Sequence, residues 1–468
     1  MIVISFSLFL LAFVVIGLLS VLKNRHTNTD YLLAGHSVKP WLVSLSAVAT
    51  NNSGYMFVGM IGYTYTVGLS SIWLMIGWIA GDFIASTFIH KKLRMATEKQ
   101  GALSFAETIS KWNGTDYKIL KAMGGLITIA FLGTYAAAQL NAGSKALHVL
   151  FGWDYSAGAI IGAIMVLLYC FAGGIRASIW TDAAQSFVMI LAMVLLCITA
   201  VIKIGGLEQF NIAIHDVSPT YMNLFPQTEL LGSIAGPIAF VIGWMFAGFG
   251  VIGQPHIMVR FMSMDNPKNM QRVRAYYYTW YILFFGITIF TAMAARLLLP
   301  QVDSFDAELA LPTLAQHLFP DVLIGLVLAG LFAATMSTAD SQILSCTAAI
   351  TRDFPLKNKS SYIITKIATV FVTSVALSIA LFGNDSVFSL VLIAWSALAC
   401  AFAPILTVYV FGGKPSEATA IAMMVIALAV MFLWRSMGLS SAVYEVGPGI
   451  LAGLVTYLIA NKVSRIKV

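Results

Sequence analysis

Thirteen runs of mainly apolar residues divide this 468-residue chain. They lie at 2–22, 41–67, 72–89, 122–151, 157–173, 182–204, 230–252, 275–299, 322–350, 361–382, 387–411, 418–434 and 447–460, here spans 1 to 13. A helix needs about 20 such residues to cross a bilayer. Composition leaves little room for another reading: 59% of residues are hydrophobic and 10% charged, against about 25% charged in a soluble domain. That excludes a soluble enzyme and a disordered chain. The four cysteines all fall inside apolar runs and no C-x-x-C occurs, which excludes a disulfide scaffold and gives no zinc motif. The reading is an all-α, polytopic membrane protein of about 13 transmembrane helices.

The net charge of +7 follows from topology. With the N-terminus outside, the inner loops hold 22 of the 27 Lys and Arg, and the outer loops hold Lys203 and Arg435. Lys145, Arg296 and Lys366 lie in spans or near their ends, and the 300–321 loop has Asp303, Asp306 and Glu308 but no Lys or Arg. This is the positive-inside pattern, with the tail bearing Lys462, Arg465 and Lys467 in the cytoplasm. It calls for no nucleic-acid partner. Ile2–Leu22 is preceded by no basic residue and followed by Lys23 and Arg25, so it reads as a retained span, not a cleaved signal. Residues 101–112 read as a short helix on the inner surface. Eight residues follow the last span, too few for an appended signalling module.

Two spans are interrupted. In span 2 the polar string T-N-N-S-G at 50–54 sits near the middle of an apolar run; in span 7 four glycines precede a proline in G-W-M-F-A-G-F-G-V-I-G-Q-P at 243–255. Irregular backbone at membrane depth is tolerated only where it lines a cavity, and breaks at matching places in two halves mark the binding site of an inverted-repeat transporter. The alternative for span 7 is that its glycines only allow close packing. The halves are then 41–204 and 230–411, with 1–40 holding the first span and an inner loop, and 412–468 two additional spans.

Span 9 carries A-A-T-M-S-T-A-D-S-Q at 333–342. Ser337 and Ser341 share a helix face, with Ser345 on the same stripe and Thr338 and Asp340 beside them. Hydroxyls with one carboxylate suit a hard cation such as Na⁺; each hydroxyl alone would be explained by a bond to the carbonyl four residues back. A carboxylate within a span costs about 2.5–3.5 kcal/mol on insertion scales, which marks Asp340 as functional. Asp182 opens span 6, where it would also favour the helix dipole. Asp82 in span 3 is explained equally well by a helix–helix hydrogen bond.

Several strings in order, D-Y-L-L-A-G-H-S at 30–37, S-A-x-A-x-N-x-S-G in span 2, F-A-G-G-I-R-A-S-I-W-T-D at 171–182, G-Q-P-H-I-M-V-R-F-M at 253–262 and M-S-T-A-D-S-Q at 336–342, resemble the sodium:solute symporter family along essentially the whole chain, nearest to its bacterial sodium/proline branch. The resemblance implies the five-plus-five inverted-repeat (LeuT-type) fold and Na⁺ as coupling ion. It implies a sodium site from the carbonyls of Ala49, Asn52 and Ala334 and the hydroxyls of Ser337 and Thr338. A second sodium site, found in some members, would use Asp182, Ser337, Asp340 and Ser341. The solute would lie among Asn52, Ser53, Gly54, Tyr55, Tyr135, Ala247, Val251 and Pro255. This chain departs from the proline branch at Asn51, where that branch has Asp, at His36, often Arg, and at Ala247 and Val251, where it has Trp and Tyr. Asn51 offers an oxygen without charge, so Asp340 with Asp182 is expected to carry the site's negative charge, and the missing span-7 rings predict a looser pocket unless Phe246 or Phe249 swings in.

The function expected is sodium-coupled import of a small organic solute by alternating access in a bacterial-type plasma membrane, with proline or a related amino acid foremost. Another amino acid, a carboxylate, a sugar, coupling to protons through Asp182 and Asp340, or a sensor role are the alternatives. No nucleophile-and-base pair suggests an enzyme, and no obligate protein partner is inferred beyond solute, Na⁺ and bilayer.

Overall fold

The computed structural model describes residues 1–226, 232–299, 305–355, 361–382 and 387–466; Asp303, Lys467 and the first two residues of span 7 lie outside them. Among the described residues the regular structure is helical, with one isolated β-bridge between Val38 and Met264. Among the described residues, eleven helices are long and apolar enough to cross a membrane. Two of these, Pro40–Phe88 and Tyr155–Ile204, are 49 and 50 residues long, and each holds two of the apolar runs.

Fifty helical residues would extend about 75 Å, more than twice an apolar core of about 30 Å, so the segment must turn. It does so at Gly174, with φ 58° and ψ −142°, between spans 5 and 6. A Cβ there would lie 2.3 Å from the Tyr31 carbonyl oxygen. The loop after span 1 therefore packs its backbone into the joint, and only glycine fits. Span 2 turns at Ser53 and ends at Gly68, φ 76°.

Span 7 runs as Gly232–Phe249, a tight turn Gly250–Gly253 and an extended Gln254, then restarts as Pro255–Met262. Pro255 stands at the first helical position, where its missing N–H costs nothing. Both readings of the span-7 glycines hold, at different residues. Gly250–Gly253 forms the break, whereas Gly248 serves packing: a Cβ on it would meet the Trp78 carbonyl oxygen at 1.9 Å, and one on Gly81 the Met245 carbonyl oxygen at 1.8 Å.

Span 9, Asp321–Arg352, lies at the centre: every residue from Ile324 to Ala349 is buried. Large apolar side chains of spans 1, 10 and 13 (Leu8, Leu11, Ile363, Phe371, Leu458) are exposed, the surface a bilayer would cover. In the 90–121 loop the helix expected over 101–112 is Phe105–Ser110, with every residue but Glu107 buried, and it is preceded by His90–Gln100. Ser104 caps it by accepting Glu107 N–H at 2.9 Å, and its hydroxyl donates to Asp353 at 2.5 Å, tying this loop to the end of span 9.

Candidate ion and solute site

The break in span 2 falls within T-N-N-S-G. Ser53 has φ 52°, a left-handed conformation rare for a residue with a side chain. The helical ladder ends there, and buried N–H groups need new partners. Gly54 N–H donates to Oε1 of Gln139 at 2.7 Å, and Tyr55 N–H to Ser53 Oγ at 3.0 Å. Tyr135 OH donates to the same Ser53 Oγ at 3.4 Å. Gln139 was missed by sequence reasoning, though its signal was present: a buried-span glutamine four residues after Tyr135 shares its helix face.

Span 9 crosses directly behind this break. Ser337 Oγ lies 3.3 Å from the Ala49 carbonyl oxygen and 3.1 Å from that of Ala334. Thr338 Oγ1 lies 3.0 Å from the Thr50 carbonyl oxygen and 3.2 Å from Ala334. Ala49, Ala334, Ser337 and Thr338 thus converge, joined by Thr50. Neighbouring oxygens around a hard cation bound at about 2.4 Å stand about 3.4 Å apart in an octahedral shell, close to this spacing. Asn52 is buried beside the group, its amide donating to the Val48 carbonyl at 2.7 Å.

Asp182, Asp340 and Ser341 also converge, but around Arg260, whose place in the sequence is that of an inner-loop charge. Arg260, on the helix after the span-7 break, is fully buried. Its Nη2 lies 3.1 Å from Asp182 Oδ2 and 3.5 Å from Asp340 Oδ1. It donates to Ser178 Oγ at 2.6 Å and to the Ser341 hydroxyl, and its Nε to Ser46 Oγ at 3.2 Å. Ser46 in turn donates to Asp182 Oδ2 at 2.5 Å, and Ser178 to Asp340 Oδ1 at 2.7 Å. Two carboxylates face one guanidinium, leaving one negative charge when both are ionised. Ser341 bridges to the first oxygen group by donating to the Ser337 carbonyl at 2.5 Å.

Asn51 points elsewhere. Its amide donates at 2.6 Å to Tyr277 OH, which donates at 2.8 Å to Asp82 Oδ2, while Tyr278 OH reaches Asp82 Oδ1 at 3.1 Å. Asp82 therefore makes the helix–helix bond expected of it, and Asn51 belongs to that network.

Tyr55, Tyr135, Ala247, Val251 and Pro255 are all buried. Two tryptophans stand near this part of span 7, where Ala247 and Val251 replace the larger rings of the proline branch. The indole of Trp395 donates to the backbone carbonyl of Ala247 at 2.9 Å, and the Trp78 ring lies 4.8 Å from Trp395 and 5.8 Å from Tyr55. Phe246 and Phe249 do not swing in; they line an apolar groove with Gly81, Ile84 and Ile450. His256, one turn before Arg260, places its ring 5.6 Å from Tyr135. Pro255 also lines a narrow cleft that runs past Val259 and Ser345 to Ser104 and Asp353.

The family model described as sodium:solute symporter family matches residues 31–427. Sodium/proline symporter 2 of Staphylococcus saprophyticus is 30% identical, over 93% of this chain and 88% of its own length. The high-affinity proline transporter PutP of Bacillus subtilis is 29% identical, over 93% and 92%. Among solved structures, a substrate-bound, outward-open Na⁺-coupled sialic acid symporter aligns with a TM-score of 0.81 at 17% identity over 98% of both chains. MhsT in complex with L-phenylalanine aligns at 0.51, with 14% identity, over 90% and 99%. The fold is the LeuT-type transporter fold, as the family resemblance implied, and Na⁺ is the coupling ion. With a matching model across most of its length and relatives aligned nearly end to end, the chain belongs to the sodium:solute symporter family.

Proposed function

We propose that this protein imports proline, or an amino acid of similar size, together with Na⁺ across the plasma membrane, with its N-terminus outside and its C-terminus in the cytoplasm. The observation that carries the reading is the meeting of the broken span-2 backbone with the Ser337 and Thr338 hydroxyls. The oxygens are neutral and sit within the bundle, so binding one Na⁺ there changes the charge that crosses the membrane. Moving that charge inward gains about 2.3 kcal/mol per 100 mV. At about 1.4 kcal/mol per decade, this supports a solute gradient of tens-fold. Residues 41–204 and 230–411 act as the two repeats, each contributing one broken helix.

The solute sits between Tyr55, Tyr135, Trp78 and Trp395, whose rings suit a small apolar body. The Nε2 donors of Gln139, buried and without a hydrogen-bond partner among the described residues, receive its carboxylate beside the Ser53 break. The relatives named for proline support that choice. Competition of labelled-proline uptake by amino acids and short carboxylates tests it. Proline is expected to compete best, and Gln139→Leu to raise the KM for proline more than the Na⁺ requirement. Stronger competition by a carboxylate without an amine would replace proline with that solute.

A further inference from the structure

Beside the joint at Gly174, a cleft between the ends of spans 1, 2 and 6 is lined by Lys23, Ser37, Lys39, Arg176 and Trp180. Arg176 is its buried wall, with a side chain only 10% exposed. Its Nη2 pairs with Asp30 and donates to the Ala34 carbonyl at 2.8 Å, its Nη1 donates to Ser37 Oγ at 3.2 Å, and its Nε–H has no partner among the described residues. A buried guanidinium N–H left unbonded costs stability unless something accepts from it. At the mouth, Lys23 lies over the Trp180 ring at 5.3 Å. Neither Lys23 nor Lys39 forms an ion pair among the described residues, and Asp30 is already engaged by Arg176. Leu22, 83% exposed, and Trp41, 46% exposed, are the chain neighbours of Lys23 and Leu42 in the cleft lining. An exposed Leu and Trp beside two lysines place it where hydrocarbon meets headgroups.

We propose that this cleft binds the phosphodiester of an anionic phospholipid. Lys23 and Lys39 grip the phosphate from the rim and Arg176 Nε–H from the wall, with the acyl chains lying along Leu22 and Trp41. Basic pockets between helix ends are suited to such headgroups. The bound lipid braces the loop that packs into Gly174. A free phosphate shares the chemistry but has no chains to lay on the apolar rim.

The test is thermal melting of the purified full-length protein in neutral detergent, titrated with phosphatidylglycerol, phosphatidylcholine or inorganic phosphate. Phosphatidylglycerol is expected to raise the Tm, and phosphatidylcholine and phosphate to leave it unchanged. In Lys23→Gln/Lys39→Gln, about tenfold more phosphatidylglycerol is needed for the same shift, whereas Lys99→Gln/Lys118→Gln, with the same charge change elsewhere, behaves as wild type. An unaltered titration in the first pair overturns the site, and so does an equal loss in the second. A shift by inorganic phosphate matching that by phosphatidylglycerol overturns the lipid as occupant. The readout is independent of transport and of the solute.

Discussion

At Ser337 and Thr338 each hydroxyl stands between two carbonyl oxygens, one from its own helix and one from span 2. Ser337→Ala or Thr338→Ala removes one hard oxygen without harming helix propensity. Each is expected to raise the Na⁺ concentration for half-maximal uptake about tenfold, a loss of about 1.4 kcal/mol, with a smaller change in the solute KM; sodium titrations at saturating solute check it. Arg260 poses a different problem, because its removal leaves Asp182 and Asp340 buried without their cation. Breaking a buried ion pair from one side costs about 3–5 kcal/mol. Arg260→Gln should therefore melt well below wild type, and adding Asp182→Asn should restore part of the loss; equal melting of wild type and Arg260→Gln would show that the guanidinium is not what holds the cluster. Asn51→Asp, by contrast, is not expected to rescue Asp340→Asn, since Asn51 is committed to Tyr277 and the Asp82 network. Uptake by the double variant measures this.

The interrupted helices show at the element scale what a sequence discloses. T-N-N-S-G could be read as a break because two asparagines and a serine need partners in hydrocarbon, and Ser53 is where the backbone turns. The joint at Gly174 gave a weaker signal: only the polar stretch after span 5 hinted at it, and the need for glycine comes from Tyr31, 143 positions earlier in the sequence. Gly174→Ala would combine a strained φ with a backbone clash. It is expected to lower the Tm by several degrees and reduce yield, while Gly286→Ala, where a Cβ meets nothing within 4 Å, leaves both unchanged. Arg260 was illegible for a related reason. Its charge sits just after an apolar run and looks like any inner-loop arginine. Only the helix restarting at Pro255 carries it back among Ser46 of span 2 and Ser178 and Asp182 of the helix after Gly174. The bond from the Trp395 indole to the Ala247 carbonyl was equally hidden, because it joins residues 148 positions apart on different spans.

Across the whole molecule, the apolar runs and the loop charges carried the architecture. Each run needs a bilayer, and Lys and Arg collect on one side. With the four native cysteines replaced, single cysteines at Asn113 and at Ser218 should react with a membrane-impermeant maleimide from opposite faces of right-side-out vesicles, Ser218→Cys from outside. Labelling of both from one face would break the proposed orientation. The exposed apolar surface of spans 1, 10 and 13 and the enclosed polar face of span 9 fit the proposal of lipid around the rim and an ion site at the axis. The central claim is that a Na⁺ gradient drives solute through that axis. Labelled-proline uptake into proteoliposomes tests it most directly. An inward Na⁺ gradient should give accumulation above equilibrium that is lost when Na⁺ is replaced by choline; accumulation undiminished in choline, or driven equally by a proton gradient alone, would contradict the account.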